Sequence, residues 1–364
     1  MRIDQYVPGF MKHDAIGNHS LQIRSLLRGR GIESDIYSES IDPRVASEAR
    51  SYHEARPRPG DVVIYHSSTH SGIAEWLTEH AARGVTVVSD YHNITPSSYF
   101  RRWEPAAAES MDLARSEFEA MAPIVGLAMA DSQFNEKDLV AAGYARTATA
   151  HLLVDLEEYH RAPDGRTLDR LRRQKERGGA NWLFVGRIAP NKCQHDIIGA
   201  FAAYRRFFDP LARLTLVGGA TAVRYLRALE QLAESLELGD SVTIADAVPF
   251  PDLLAHFSAA DVFVCLSEHE GFCVPVLEAM ELGIPVVAFD AAAVPETLAG
   301  SGVLLPNKDP WVVASAVAGL LADADRRMQL VAAARERARE LSLPVTSAAF
   351  LRILTGWLAE AGHR

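Results

Sequence analysis

The chain has 364 residues, enough at roughly 150 per domain for two domains that each bury a core, which excludes a single small domain. Hydrophobic residues make up 48% and charged residues 23%, a balance that excludes a disordered chain. The 47 Asp and Glu outnumber the 37 Lys and Arg, and because both halves share the excess, neither has the basic footprint of a duplex-DNA or anionic-membrane binder.

In chain order, helical periodicity first appears over 14–30. Apolar strand runs follow in DVVIYHS from Asp61 and TVVSDYH from Thr86, then a helix over 107–121 and a third run, IVGLAMADS, from Ile124. The polar, basic stretch 157–180 ends in a double glycine and reads as a connection. A second series then alternates NWLFVGR from Asn181, a helix over 195–207, RLTLVGG from Arg213, a helix over 221–236, SVTIADA from Ser241, DVFVCLS from Asp261 and PVVAFD from Pro285. Helices over 310–321 and 345–358 close the chain. Runs that are apolar nearly throughout predict strands covered on both faces, as parallel sheets flanked by helices require. The pattern predicts an α/β protein with two facing Rossmann-like, doubly wound domains, 1–156 and 181–344, joined by a linker at 157–180. The segment 345–364 is expected to pack back on the first domain. Ligands in such folds bind in a cleft at the carboxyl ends of the strands.

Three cysteines, Cys193, Cys265 and Cys273, are too few and odd in number for a disulfide framework, which points to a reducing compartment. The opening MRIDQYVPGF lacks the basic stretch and apolar run of a signal peptide, and no window reads as the roughly 18 apolar residues of a membrane span. A cytoplasmic protein with at most peripheral membrane contact is expected. There is no tandem repeat, and nothing in the sequence sets an oligomeric state.

The most informative segment is SEHEGFCVPVLEAMELGIPVVAFD from Ser267, in which Glu270 and Glu278 are separated by seven residues. Glu270 follows a strand and precedes Gly271, while Pro275 suits the first turn of a helix carrying Glu278. Vicinal sugar hydroxyls are paired donors, so two carboxylates on one strand–loop–helix unit can hold two sugars. An isolated pair with this spacing is usually two solvated glutamates; here Gly271, Phe272, Pro275, Ala279, Met280 and 283–285 accompany it. In FVGRIAPNKCQHDII from Phe184, Arg187 follows a strand and Lys192 precedes a helix, so both cations and the helix's positive end can serve one diphosphate.

Together these segments resemble the donor site of the retaining glycosyltransferases of family 4, which have the two-domain GT-B fold. The resemblance spans nearly the whole chain, and it is strong over 184–290 and looser before 155. It implies transfer of a hexose-type sugar from a UDP- or GDP-linked donor to a hydroxyl of a saccharide, lipid-linked or natural-product acceptor, without metal. Glu270 would hold the hexose, Glu278 the ribose, and Arg187 and Lys192 the diphosphate. Gly271, Phe272, Cys273 and Val274 would line the donor, Val248 would present backbone groups to the base, and Gly17, the single glycine of the opening loop, is counted with the donor side without an individual role. The family commonly has a histidine at the position of His92, in SDYHNITP; a neutral imidazole there would donate to the sugar or relay the acceptor's proton. A packed, satisfied histidine is the competing account.

The opening loop departs from the family, with Asp14 and Ala15 where paired glycines are common. Asp14 is a good helix cap and a poor neighbour for phosphate. Asp14, Asn18, His19, His66, Asn93 and Arg101 are weaker candidates for the acceptor side, His66 together with Ser68 and His70 in a loop after a strand. Arg101, Arg102 and Trp103 are placed to touch an anionic or lipid-linked acceptor. Cys265, His269 and Cys273 make only a superficial zinc pattern without a fourth ligand. Asp323 and Asp325 read as helix capping. No strand runs into G-x-G-x-x-G, which disfavours a dinucleotide enzyme. A sugar-nucleotide epimerase and a non-catalytic sugar-nucleotide binder remain as alternatives.

Overall fold

The computed structural model describes residues 2–11 and 14–362. Lys12 and His13 in the opening loop, and His363 and Arg364 at the end of the segment 345–364, lie outside the described residues. The chain forms two compact units: Met1–Ser98, Pro105–Asp155 and Leu341–Arg364 make the first, and Tyr99–Glu104 with Leu156–Glu340 make the second.

The first unit holds a seven-stranded parallel sheet of β1 (Ile3–Phe10), β2 (Ile36–Ile41), β3 (Arg50–Ser51), β4 (Val62–Ser67), β5 (Thr86–Tyr91), β6 (Val125–Ala130) and β7 (Thr147–Thr149). Its order is β3-β2-β1-β4-β5-β6-β7. The second unit holds a six-stranded parallel sheet of β8 (Asn181–Val185), β9 (Arg213–Val217), β10 (Val242–Ala245), β11 (Val262–Cys265), β12 (Val286–Phe289) and β13 (Val303–Leu305), in the order β10-β9-β8-β11-β12-β13. Both are doubly wound α/β sheets. Strand order reverses between β1 and β4 in one and between β8 and β11 in the other, and the carboxyl ends at these points are where such sheets bind ligands. The central strands carry apolar residues on both faces, for example Val62, Val63, Ile64 and Tyr65 on β4 and Val262, Phe263, Val264 and Cys265 on β11, all buried.

Several expected boundaries move. The stretch 157–180 is not a free connection: Gly165–Lys175 is a helix, capped by Asp164, whose Leu168 and Leu171 pack on Ala255 and Ala259 of the helix Phe250–Ala259. Its polarity reflects a narrow apolar stripe on an otherwise solvated helix. Tyr99–Glu104 belongs to the second unit although it lies between segments of the first. The first helix runs Ala15–Arg28, with Asp14 as its cap accepting from Ile16 and Gly17 N–H (both 3.2 Å).

The last helix, Leu343–Glu360, packs into the first unit through Phe350, Leu354, Trp357 and Leu358, which join Ile3, Ile23 and Met129 in one core cluster. Gly126 on β6 makes the seat for this helix, since a Cβ there would lie 2.6 Å from Trp357 Cζ2. Contrary to the sequence reading, the stretch Ala324–Glu360 contains a segment long and apolar enough to cross a membrane by length and composition. Within that stretch, the helix Leu343–Glu360 places Phe350, Leu351, Leu354, Trp357 and Leu358 in the core.

Candidate functional site

In the second unit, two loops leave the sheet at the β8/β11 reversal and are tied together. The loop after β8 is held by close backbone packing: Gly186 N–H donates to Val217 O (2.9 Å), and a Cβ on Gly218 would lie 2.1 Å from Gly186 O. Only glycine fits there. This aims Arg187, an exposed side chain, off the end of β8, and its carbonyl accepts from Gln194 Nε2 (2.9 Å). Asn191 then bonds the loop after β11 twice, accepting Glu268 N–H at 3.0 Å and donating Nδ2–H to His269 O at 3.1 Å. The third tie is an ion pair, Lys192 Nζ to Glu270 Oε2 at 2.6 Å, with both side chains largely buried. Lys192 and Glu270 are thus direct partners, which their separate expected roles did not anticipate.

Each loop enters a helix through a left-handed cysteine, Cys193 (φ 53°) before Gln194–Phe207 and Cys273 (φ 71°) before Val274–Glu281. Neither helix has a side-chain cap at its N-terminus. Orphan N–H groups and the positive end of the dipole there suit an anion. Gly271 and Val274 are half-buried, whereas Phe272 is buried and its carbonyl accepts from Thr297 Oγ1. Glu278 lies one turn into its helix, 7% exposed, with one oxygen accepting from Tyr159 OH and Oε2 without a partner in the described residues. Burial lifts its pKa to about 7, against the opposing pull of the Tyr159 hydrogen bond. Val248 lines a cavity with Trp182, Thr243 and His256.

Sequence reasoning missed two members of this region. Lys308 Nζ bridges Glu268 Oε1 and Asp196 Oδ2, each at 2.5 Å, and Tyr159 holds Glu278. Both lie far along the chain from their partners, so no local spacing marks them. Cys265 and Cys273 face each other with sulfurs 3.8 Å apart, and Glu270 is near enough to complete a three-ligand set, whereas His269 is not part of it. Asp323 accepts from Arg326 N–H (2.9 Å) as a helix cap.

The first-unit candidates divide differently. His19, His66 and His92 come together with Asp90 and Asp131 at the ends of β4, β5 and β6, all buried. His66 is corrected from a loop residue to the end of β4 itself, with no exposed surface. Pairing with β5 carries β4 past the apolar run, through His66 opposite Asp90 and Ser67 opposite Tyr91. His92 is buried with both ring nitrogens engaged, as a packed and satisfied histidine would be. Its Nδ1 lies 2.9 Å from Asp131 Oδ1 and its Nε2 2.8 Å from His66 Nδ1, and although burial opposes the charge, Asp131 and Asp90 raise its pKa to about 9. Gly17 is buried, Asn18 is exposed, and Asn93 (φ 73°) donates to Asn135 Oδ1 at 2.8 Å. Arg101 sits in the second unit and is exposed, and neighbouring Trp103 packs edge-on against Tyr225, 5.2 Å between ring centroids, rather than standing free for a lipid.

Residues 168–337 match the family model described as glycosyl transferases group 1. A GDP-mannose-dependent alpha-(1-6)-phosphatidylinositol monomannoside mannosyltransferase of Mycobacterium tuberculosis is 35% identical over 161 residues, covering 42% of this chain and 41% of that protein. A D-inositol 3-phosphate glycosyltransferase of Kineococcus radiotolerans is 32% identical over 231 residues, 59% of this chain and 53% of that one. The chain spans about half the length of the curated relatives it matches. Anabaena HepE, solved in complex with UDP and glucose, superposes with a TM-score of 0.76 at 17% identity, covering 98% of this chain and all of that one. The fold is of the GT-B type, two Rossmann-like α/β domains.

Proposed function

We propose that this chain is a retaining glycosyltransferase of family 4 that moves a hexose-type sugar from a nucleoside diphosphate donor to an acceptor hydroxyl. The observation that carries the reading is the tied pair of loops at the β8/β11 reversal, which gathers Arg187, Lys192, Glu270, Glu278 and two uncapped helix N-termini on one rigid frame. Arg187 and Lys192 hold the diphosphate together with those helix ends. Glu270, fixed by Lys192, accepts from hexose hydroxyls, with Gly271, Phe272, Cys273 and Val274 alongside. The unpartnered Oε2 of Glu278 accepts from the ribose diol, and Val248 faces the base.

As the sugar–phosphate bond breaks, negative charge gathers on the leaving diphosphate, so fixed cations favour the transition state over the ground state. That lets the leaving group depart without a metal, and it leaves the diphosphate as the group that accepts the incoming hydroxyl's proton on the same face. The named donor of the mycobacterial relative and the nucleotide in the Anabaena structure support GDP- and UDP-linked sugars as the donors to try first. The acceptor is a saccharide, a lipid-linked sugar or a small molecule, met in the cytoplasm.

The test is transfer of labelled sugar by wild-type protein, Glu270→Ala and Lys192→Ala, in chelator, with folding checked by circular dichroism. Both variants are expected to lose transfer while folded. Wild-type turnover by folded Glu270→Ala overturns the reading, and release of free nucleoside diphosphate without any acceptor points instead to a same-fold epimerase or hydrolase.

A further inference from the structure

With Asp131 ionised, the hydrogen bonds around His92 set a proton count. Gln5 donates its amide to Ser20 O (3.0 Å), so its Oε1 accepts from His66 Nε2–H (3.0 Å). Asp131 Oδ1 accepts from His92 Nδ1–H (2.9 Å). The remaining nitrogens, His66 Nδ1 and His92 Nε2, lie 2.8 Å apart. The ring planes differ by only 9° with centroids 5.1 Å apart, and face-to-face stacking would keep all ring atoms about 3.5 Å apart, so the two rings lie end to end in one plane. That is the geometry of a linear N–H···N bond. With His66 Nε2–H and His92 Nδ1–H already in use, a hydrogen between the rings gives the pair one proton more than two neutral imidazoles hold.

We propose that His66 and His92 form a buried imidazole–imidazolium pair sharing one proton, and that His66 is the positioning residue that keeps His92 a cation with no lone pair to offer. The groups facing the pair fit this charge. Asp90 (β5), held despite its burial below the usual carboxylate range by the histidines around it, and Asp131 (after β6), raised by burial against the pull of His92, supply the two carboxylates, and Asp14, before the first helix, adds a weaker attraction. His19 accepts Leu153 N–H at Nδ1 (2.9 Å), so it is neutral and donates Nε2–H to Asp90 Oδ2 (2.9 Å), while His151 Nδ1 binds the carbonyl of Asp131 (2.8 Å). Burial drives His66 well below the ordinary histidine value, so the extra proton resides on His92.

A metal is the competing occupant, because His19, His66, Asp90 and His92 bring four ligand atoms within 4.8 Å of one another. Two features oppose it. The Leu153 N–H occupies the His19 lone pair that would let its Nε2 lose a proton, and 2.8 Å between the other two nitrogens is shorter than the about 3.3 Å that a tetrahedral zinc sets between its ligands. The pair itself does not depend on the transferase reading. One consequence does: within that reading His92 supplies positive charge and a rigid strand end, and does not take the acceptor's proton.

The test is histidine NMR on the full chain labelled with nitrogen-15 and carbon-13. Wild-type protein is expected to show one exchange-protected ring proton, downfield of ordinary imidazole N–H signals and coupled to His92 Nε2, and a His92 titration midpoint near 9. His66→Asn, whose Oδ1 can accept from His92, is expected to keep the raised midpoint and lose the N–H···N signal. His66→Leu is expected to lower His92's proton affinity at least tenfold. If His66→Leu does not fold, the wild-type titration and His66→Asn decide. Titration of His92 near 6.5 in wild type overturns the proposal, as does an unchanged midpoint in folded His66→Leu. Stoichiometric uptake of zinc by chelator-treated wild type, with loss of the shared-proton signal, overturns it in favour of a metal site.

Discussion

The strand ends of the two units carry similar numbers of charged and titratable side chains and use them in opposite ways. In the first unit His19, His66, Asp90, His92 and Asp131 bond one another and are sealed from solvent, with one oxygen of Asp90 left without a partner among the described residues. In the second, Arg187 is exposed, Glu278 keeps an oxygen without a partner, and two helices begin without a side-chain cap. A charge network whose members bond one another out of reach of solvent stabilises and rigidifies, whereas charges and helix ends left open on a rigid frame are prepared for a ligand. The same position in a doubly wound sheet therefore does not by itself mark a binding residue.

The contrast can be broken by removing one group from each network. Asp131→Ala leaves the first unit's imidazolium short of a counter-charge, and loss of one partner from a buried ion pair costs about 3–5 kcal/mol, so a large fall in melting temperature is expected. The wild-type network has a pH signature of its own. Because the folded pKa of His92 is raised above its ordinary 6.5, its contribution is complete below pH 6.5 and is lost as pH rises through about 9. Urea unfolding across that window checks the sign.

In the second unit, Lys192→Ala is expected to lower turnover by about a hundredfold or more, the usual scale for one transition-state charge partner, with the fold retained. Glu278→Gln sharpens the comparison further. The folded pKa of Glu278 is raised from 4.5 to about 7, so wild type loses stability as pH rises between those values, and the neutral amide is expected to be more stable by about 3 kcal/mol at pH 8 while weakening nucleotide binding. A gain in stability with unchanged binding would make Glu278 a purely structural residue. The smallest effect is expected at the Asp14 cap, where Asp14→Ala should cost about 1 kcal/mol in thermal unfolding without altering nucleotide binding.

The α/β class and both strand series were legible because the central strands are apolar on both faces, as in VVIY on β4 and VFVC on β11. Glu270, Arg187 and Lys192 were legible because each stands next to a strand end or helix start that local spacing reveals. The Lys192–Glu270 and Lys308–Glu268 pairs were not, since pairing between loops that follow different strands leaves no trace in spacing. Short or solvated elements were also missed: β3 has two residues, and the helix Ala324–Glu340 buries only Ala334 and Ala338. His92 misled because its sequence neighbourhood says nothing of Asp131, 39 residues later, or His66, 26 residues earlier.

The most direct measurement is calorimetric titration of UDP and GDP into wild type, Arg187→Ala and Glu278→Gln, with chelator present throughout. The expected result is metal-free binding of one or both nucleotides by wild type, weakened at least tenfold in each variant. Binding that appears only with added metal, or that both variants leave unchanged, would contradict a donor site built on the second unit's cations and acids.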